Sequence, residues 1–212
     1  MSAPGNGAGP GRLRMVLASA NPDKAGEIVA IMSAELGDAV ELVARPATVG
    51  EVEETGDTLE DNARLKAHAL LSVTGLAAVA DDTGLEVDAL GGAPGVYSSR
   101  FAGEHATYAE NVAKLLADLE TAGAVGADRR RARFRTVAIA CFPGGRQVVA
   151  HGLVEGTIAG TARGDGGFGY DPVFIPDDGD GRTFAEMTPA EKHACSHRGR
   201  AFRALAVGLR SG

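Results

Sequence analysis

Apolar residues along the chain occur in blocks that predict strands alternating with helices. Runs with strand character span 13–18, 40–44, 76–80, 134–142 and 147–158. Apolar residues at helical spacing follow candidate capping residues at Asn21 or Ser19, at Thr58, at Thr107 and at Thr188, and a last helical run follows Ser196. Alternating strands and helices predict an α/β fold, and a Pro-Gly-Gly turn at 143–145 predicts an antiparallel hairpin. The sheet is therefore expected to be mixed.

The central apolar run ends abruptly at two adjacent carboxylates, Asp81 and Asp82, which Thr83 follows. This pattern predicts a buried strand that delivers acids to a sheet edge, where open α/β sheets bind ligands. Acids placed there could bind a metal or activate water. Glu53 and Glu54 precede a predicted helix, where a solvated acidic loop is the simpler interpretation. They would add to a metal site only if they face the two aspartates.

Three further segments carry candidate chemistry, each with a simpler structural alternative. The loop from Ser19 to Lys24 lies between a strand and a helix start and is a candidate phosphate site, or only a capped turn. Phe168 lies among glycines that would let a flat ligand approach, or it belongs to the core of a hairpin. His197 and Arg198 begin the last helix, where the dipole disfavours cations by about 0.3–1 kcal/mol unless an acid, an anionic ligand or solvent compensates.

Composition limits the class of protein. The chain has 212 residues, 44% hydrophobic residues and a net charge of −7, which is ordinary for a globular protein. This length suits one domain over 13–212, or two lobes that share a cleft. Residues 1–12 are predicted to form a disordered tail. The acidic balance argues against nucleic-acid binding, although Arg129 to Arg135 form a short basic run. No run is long enough to span a membrane, and two cysteines without metal-type spacing suit a reduced cytoplasm.

The candidates together describe a site for a nucleoside polyphosphate. Carboxylates would hold Mg²⁺, lysines would neutralise phosphates, Phe168 would stack on a base, and the Ser-His-Arg segment would donate hydrogen bonds to its edge. A binding protein without turnover and a sugar-phosphate phosphatase are the alternatives. The phosphatase would leave Phe168 and the Ser-His-Arg segment without a role.

Six segments, in this order, resemble the motifs of the inosine triphosphate pyrophosphatase (HAM1/RdgB-like) family. They are SANPDK at 19–24, EETG at 53–56, ADDTGL at 80–85, GGAPGVYSSR at 91–100, GFGYDP at 167–172 and SHR at 196–198. The resemblance covers residues 14–209. It implies hydrolysis of non-canonical purine nucleoside triphosphates (dITP, ITP, XTP) to monophosphate and pyrophosphate. It also implies an elongated mixed α/β fold with two lobes around a central cleft, Mg²⁺ dependence and a homodimer.

The resemblance also implies roles for individual residues. Asp82 would accept a proton from water, with Asp81 or Glu54 as alternatives, and Glu53 and Asp82 would hold Mg²⁺. The residues implied to bind the substrate are Ser19, Ala20, Asn21, Pro22, Asp23, Lys24, Thr83, Phe168, Gly169, Tyr170, Asp171, Lys192, His197 and Arg198. Thr83 stands where many relatives have serine, which keeps the hydroxyl.

Overall fold

The structure, a computed structural model, describes residues 12–211. Within them, seven strands form one sheet: β1 (Leu13–Leu17), β2 (Val40–Val43), β3 (Ala77–Val87), β4 (Pro94–Gly95), β5 (Arg131–Cys141), β6 (Gln147–Ile158) and β7 (Phe174–Pro176). Five α-helices flank the sheet: α1 (Pro22–Leu36), α2 (Leu59–Thr74), α3 (Tyr108–Thr121), α4 (Pro189–Cys195) and α5 (His197–Arg210). The predicted tail lies outside the described residues, apart from Arg12.

The sheet is mixed, as the sequence predicts. The strand order is β2-β1-β3-β5-β6-β7, and β4 pairs with the far end of β3. β1 is parallel to β2 and β3, whereas the pairs from β3 to β7 are antiparallel. The predicted hairpin is confirmed, because β5 and β6 pair over their whole length around the Pro-Gly-Gly turn.

The helices begin where the capping signals predict. The side chains of Asn21, Thr58, Thr107, Thr188 and Ser196 each accept a backbone N–H of the first turn that they precede. At Thr107 and Thr188 a glutamate three residues later completes a capping box. These starts are local features, so the sequence alone specifies them.

The expectation that the central strand ends at the two aspartates is wrong. β3 continues through Asp81 and Asp82 to Val87, because β5 pairs with it continuously from Ala78 to Val87. On the other edge β1 ends opposite Val79, and β4 pairs only with Leu85 and Glu86. Among the described strands none covers residues 80–84 on that edge. The acids therefore lie in mid-strand, beside a gap that the short β1 leaves open.

Three hydrophobic clusters divide the elongated molecule into two lobes. In the first lobe α1 and α5 cover one face of the sheet and α2 covers the other. In the second lobe α3 and the Phe174 region pack around the far halves of β3, β5 and β6. The long strands run through both lobes and join them. In residues 12–211 no helix combines the length and apolar character that crossing a membrane requires.

The arginine run lies on and just before β5, where acids of neighbouring segments pair with it. Arg131 contacts Asp177 at 2.6 Å, and Arg133 contacts Glu155 at 3.1 Å. Arg135 pairs with a glutamate of β3. Arg131, Arg133 and Arg135 thus form a charged strand face whose arginines already have acidic partners, whereas Arg130 donates to backbone carbonyls.

Candidate functional site

A cavity of about 840 Å³ lies between the lobes, beside the gap at residues 80–84. Its size suits a drug-sized ligand or a nucleotide. Twelve of the predicted site residues line it: Ser19, Ala20, Asn21, Lys24, Glu53, Thr83, Phe168, Gly169, Tyr170, Asp171, His197 and Arg198. Pro22, Asp23, Asp82 and Lys192 do not line it but adjoin residues that do. The fold therefore brings the separate motifs to one place.

The loop from Ser19 to Lys24 forms the capped turn that was one of its two interpretations. The Asn21 side-chain oxygen accepts the backbone N–H groups of Asp23 (2.9 Å) and Lys24 (3.1 Å). The helix N-terminus is therefore capped by a side chain, and these two amides do not face the cavity as free donors. Positive charge for an anion must come instead from the Lys24 side chain.

Lys24 is the one lysine without an ion-pair partner among the described residues; the other three each contact a carboxylate. It lines the cavity. Burial lowers the pKa of its ammonium, although Asp81 acts in the opposite direction. Because Lys24 is partly buried and makes no direct ion pair, an anionic ligand in the cavity would stabilise its charge.

Asp81 and Asp82 point to opposite faces of β3, because side chains alternate along a strand. Arg198 Nε lies 3.4 Å from Asp81, whereas Lys66 Nζ lies 2.8 Å from Asp82. Burial acts to raise the pKa of Asp81, but Lys24 and Arg198 outweigh it and lower that pKa. Burial raises the pKa of Asp82 despite Lys66. Each of the two carboxylates therefore responds mainly to its own surroundings.

Lys66 joins two carboxylates at the cavity wall. Its ammonium lies 3.0 Å from Glu54 and 2.8 Å from Asp82, and Arg100 contacts the other oxygen of Glu54 at 3.1 Å. Burial opposes the charge of Lys66, but the neighbouring acids outweigh it and raise its pKa. Glu53 is exposed on the same loop and lines the cavity. Sequence reasoning placed the acids here but missed the bridging lysine.

The donor set fits a hard divalent cation. Among residues 12–211 no cluster of three or more metal-ligating side chains occurs. A hard divalent cation that keeps water and phosphate ligands needs only one or two protein carboxylates. Lys66 Nζ donates to both Glu54 and Asp82, so the two carboxylates face the same point. These two acids, with Glu53 on the same loop, could therefore hold such an ion.

A buried network supports the opposite wall. Glu27 of α1 accepts hydrogen bonds from Lys192 and Arg198, both at 2.6 Å. Lys192 also contacts Asp171, which in turn accepts the Phe168 backbone N–H at 2.8 Å. Arg198, only 2% exposed, also donates hydrogen bonds to Asp81 and to the Thr83 hydroxyl. Of the three kinds of compensation considered for the charge at the start of α5, the structure shows acids, which pair with Arg198.

This network changes the expected base-reading edge. Ser196 caps α5 through its hydroxyl. Each of the three guanidinium nitrogens of Arg198 already donates to an acid or to Thr83, so most of its donor capacity is used within the protein. His197 stacks on Phe134, with ring centroids 4.2 Å apart and planes at 17°. Burial lowers the pKa of His197 well below its usual value, so the ring is neutral. Its Nδ1 is buried and has no hydrogen-bond partner in the described part of the chain.

Phe168 borders the cavity near both buried cations. Lys192 Nζ lies 4.7 Å from its ring centroid, and the Arg198 guanidinium carbon lies 5.4 Å away. Tyr170 donates its hydroxyl to the Ser98 carbonyl and anchors the segment. Sequence reasoning missed Glu27, which looks like an ordinary helix acid. The signal was its place one turn beyond Lys24, on the face that packs against α5.

Known proteins resemble most of the described chain. The sequence model of the Ham1 family matches residues 15–207. A "dITP/XTP pyrophosphatase" of Nitratidesulfovibrio vulgaris is 49% identical over 197 residues, 90% of this chain and 93% of the relative. One of Mycobacterium bovis with the same name is 55% identical over 161 residues, 76% of each chain.

Solved structures agree with the sequence comparison. A HAM1 protein from Coxiella burnetii matches with a TM-score of 0.84 at 40% identity, covering 94% of this chain and all of that one. A nucleoside-triphosphatase, or dITP/XTP pyrophosphatase, from Mycobacterium abscessus matches with a TM-score of 0.71 at 45% identity, covering 93% and 100%. The chain therefore belongs to the Ham1 family.

Proposed function

We propose that this protein hydrolyses non-canonical purine nucleoside triphosphates, namely dITP, ITP and XTP, and so removes them from the nucleotide pool. Water adds across the anhydride between the α- and β-phosphates, and the products are the nucleoside monophosphate and pyrophosphate. The observation that carries the proposal is Lys24, a partly buried lysine that makes no direct ion pair among the described residues and lines a cavity of nucleotide size. The names of the relatives support the substrate class.

The phosphates would lie along the Ser19 to Lys24 loop. Ser19 and Ala20 line the cavity with Asn21, while Pro22 and Asp23 shape the helix start beneath it. Lys24 would neutralise the triphosphate, and Lys192 would add positive charge from behind the Phe168 ring.

Glu53 and Asp82 would hold Mg²⁺, with Glu54 beside them. When bound, the ion supplies neutralisation of phosphate charge and polarisation of the phosphoryl oxygens. Asp82 is our candidate for orienting or deprotonating the water, because burial raises its pKa towards the range of a useful base. Asp81 and Glu54 are the alternatives. Asp81 suits the role less, because its pKa is lowered.

The base would stack on Phe168 and meet His197 at its edge, with Thr83, Gly169, Tyr170, Asp171 and Arg198 shaping the pocket. Hypoxanthine and xanthine carry a carbonyl at C6 where adenine carries an amino group. A neutral His197 that donates to this carbonyl would be left unpaired against adenine, and such mismatches can discriminate by up to about 10⁴–10⁵. Arg198, whose three nitrogens each already donate within the protein, would contribute mainly by its position.

We further infer that residues 13–212 act as one unit, since one sheet runs through both lobes. We also infer a homodimer that works in the cytoplasm. Light scattering coupled to size exclusion would measure the mass in solution and decide between a monomer and a dimer.

The decisive assay compares dITP, XTP, dATP and dGTP with Mg²⁺, with and without EDTA, and quantifies pyrophosphate and orthophosphate separately. We expect pyrophosphate from dITP and XTP, little from dATP and dGTP, and none in EDTA. Orthophosphate as the first product would contradict the proposed bond cleavage. Tight nucleotide binding without turnover would indicate a nucleotide sensor.

Asp82→Asn tests the assigned water activation. General acid–base catalysis contributes about 10²–10⁴-fold, so kcat should fall by a factor in this range while the variant remains folded. Asp118→Asn is the matched control, because Asp118 pairs with Lys114 on the surface of α3, away from the cavity. Normal turnover by a folded Asp82→Asn protein would exclude Asp82 from the chemistry.

A further inference from the structure

Tyr108 reaches from one lobe to the other across the cavity. It is the first residue of α3, in the second lobe, and lies outside all the motifs singled out in the sequence. Its hydroxyl accepts a hydrogen bond from Asn21 Nδ2 at 2.7 Å and donates one to Asp23 at 3.4 Å. Both partners belong to the loop that begins α1 in the first lobe. The hydroxyl therefore connects the second lobe to the candidate phosphate loop.

The contact with Tyr108 determines how the Asn21 amide is oriented. The side-chain oxygen of Asn21 is committed to the two backbone N–H groups that it caps. The amide nitrogen is consequently the end that meets Tyr108, where the phenol oxygen accepts one of its two N–H groups. Asn21 lines the cavity. Its second N–H is thus held in a fixed direction at the cavity wall.

The ring of Tyr108 makes a second connection. Its centroid lies 5.9 Å from that of Phe168, with the planes inclined by 37°, within the range of favourable aromatic pairs. Phe168 is the proposed stacking surface for the base. One side chain therefore touches both the phosphate loop and the base wall.

We propose that Tyr108 is a positioning residue for the nucleotide, an inference that rests on the proposed function. Its hydroxyl orients the Asn21 amide as a donor to a phosphate oxygen, and its ring holds Phe168 at the distance that receives the base. Tyr108 does not contact Asp82 or Lys66. It therefore affects substrate binding and leaves the chemical step unchanged.

The test separates the hydroxyl from the ring. Tyr108→Phe removes only the hydroxyl, and Tyr108→Ala removes both. Tyr97→Phe is the control, because Tyr97 is 60% exposed and does not line the cavity. Turnover of dITP gives KM and kcat. Calorimetry in Mg²⁺ measures the binding of a non-hydrolysable α,β-methylene analogue of inosine triphosphate and, separately, of inosine monophosphate.

For Tyr108→Phe we expect KM and the analogue dissociation constant to rise about 3- to 10-fold, the effect of one hydrogen bond, with unchanged kcat. Binding of the monophosphate should also be unchanged in this variant but weakened in Tyr108→Ala. Tyr108→Phe with wild-type KM and analogue affinity would overturn the proposal, as would a fall in kcat at constant KM. Wild-type protein that binds the analogue without hydrolysing dITP would refute the proposed function alone, since calorimetry would still measure the contribution of Tyr108.

Discussion

Glu27→Gln should cost the protein more stability than its place on a helix suggests. The Glu27 carboxylate is the common acceptor for Lys192 and Arg198, and the three side chains are 12%, 5% and 2% exposed. Burial acts to raise the pKa of Glu27, but the two cations outweigh it and lower that pKa, so the carboxylate is ionised at neutral pH. The substitution keeps the shape and removes the charge.

The magnitude follows from what remains after the change. Removing one partner of a buried ion pair costs about 3–5 kcal/mol when the other charge is left uncompensated. Here Lys192 keeps Asp171, and Arg198 keeps Asp81. We therefore expect the lower limit, about 3 kcal/mol, which for a chain of this size lowers Tm by roughly 6–12 °C.

The assay is urea unfolding at pH 7, followed by circular dichroism, with thermal melts in parallel. Glu35→Gln is the matched control on the same helix: Glu35 lies 3.8 Å from Arg210, and their side chains are 30% and 48% exposed. Such surface pairs contribute about 0–1 kcal/mol. Equal m-values would show that both variants unfold between comparable states. If Glu27→Gln and Glu35→Gln lose unfolding free energies within about 0.5 kcal/mol of each other, Glu27 is not a buried acid that stabilises Lys192 and Arg198.

Three other outcomes are expected. Burial lowers the pKa of His197, so its contribution to stability is present above the unfolded pKa of about 6.5 and declines below it by up to about 1.4 kcal/mol per pH unit. In His197→Phe the free energy of unfolding, measured from pH 7 to 5, should therefore depend less on pH. The same slope of unfolding free energy against pH in both proteins would contradict this. Gly152→Ala places a methyl group 1.9 Å from the His197 carbonyl oxygen and should lower the free energy of unfolding by about 3 kcal/mol or more. Gly26→Ala meets no atom within 4 Å and should stabilise α1 by about 0.5–1 kcal/mol. Equal urea midpoints for the two variants would show that β6 and α5 can move apart at no cost. Phe168→Ala should raise the KM for dITP by about tenfold or more, since base stacking on an aromatic ring is worth about 1–3 kcal/mol, and an unchanged KM would place the base elsewhere.

The sequence predicts those features that local chemistry specifies. The helix at Thr107 begins where the Thr-Glu capping box requires, and Asn21 with Pro22 begins α1 as expected. The β5–β6 hairpin follows from two apolar runs and the turn between them. Each of these signals lies within a few neighbouring residues, so no knowledge of distant contacts is needed.

Features that depend on distant partners were not predictable in the same way. β3 continues past Asp82 because β5 pairs with it, and that pairing joins residues about 50 positions apart. Glu27 becomes part of the site through Lys192, 165 positions away. Tyr108 acquires its role only when α3 and α1 face each other across the cleft. A single sequence shows which residues carry charge, but not which of them meet.

The dependence of the site on α5 has a consequence for synthesis in the cell. Arg198 at the start of α5 meets Glu27 of α1 across 171 residues of chain, so the phosphate loop emerges from the ribosome long before its supporting cations. At about 5–20 residues per second, roughly ten seconds or more separate the two events. A nascent chain that lacks α5 has a capped loop but no assembled pocket, so its nucleotide binding begins only after α5 docks. In this protein the onset of activity would therefore report that folding is complete.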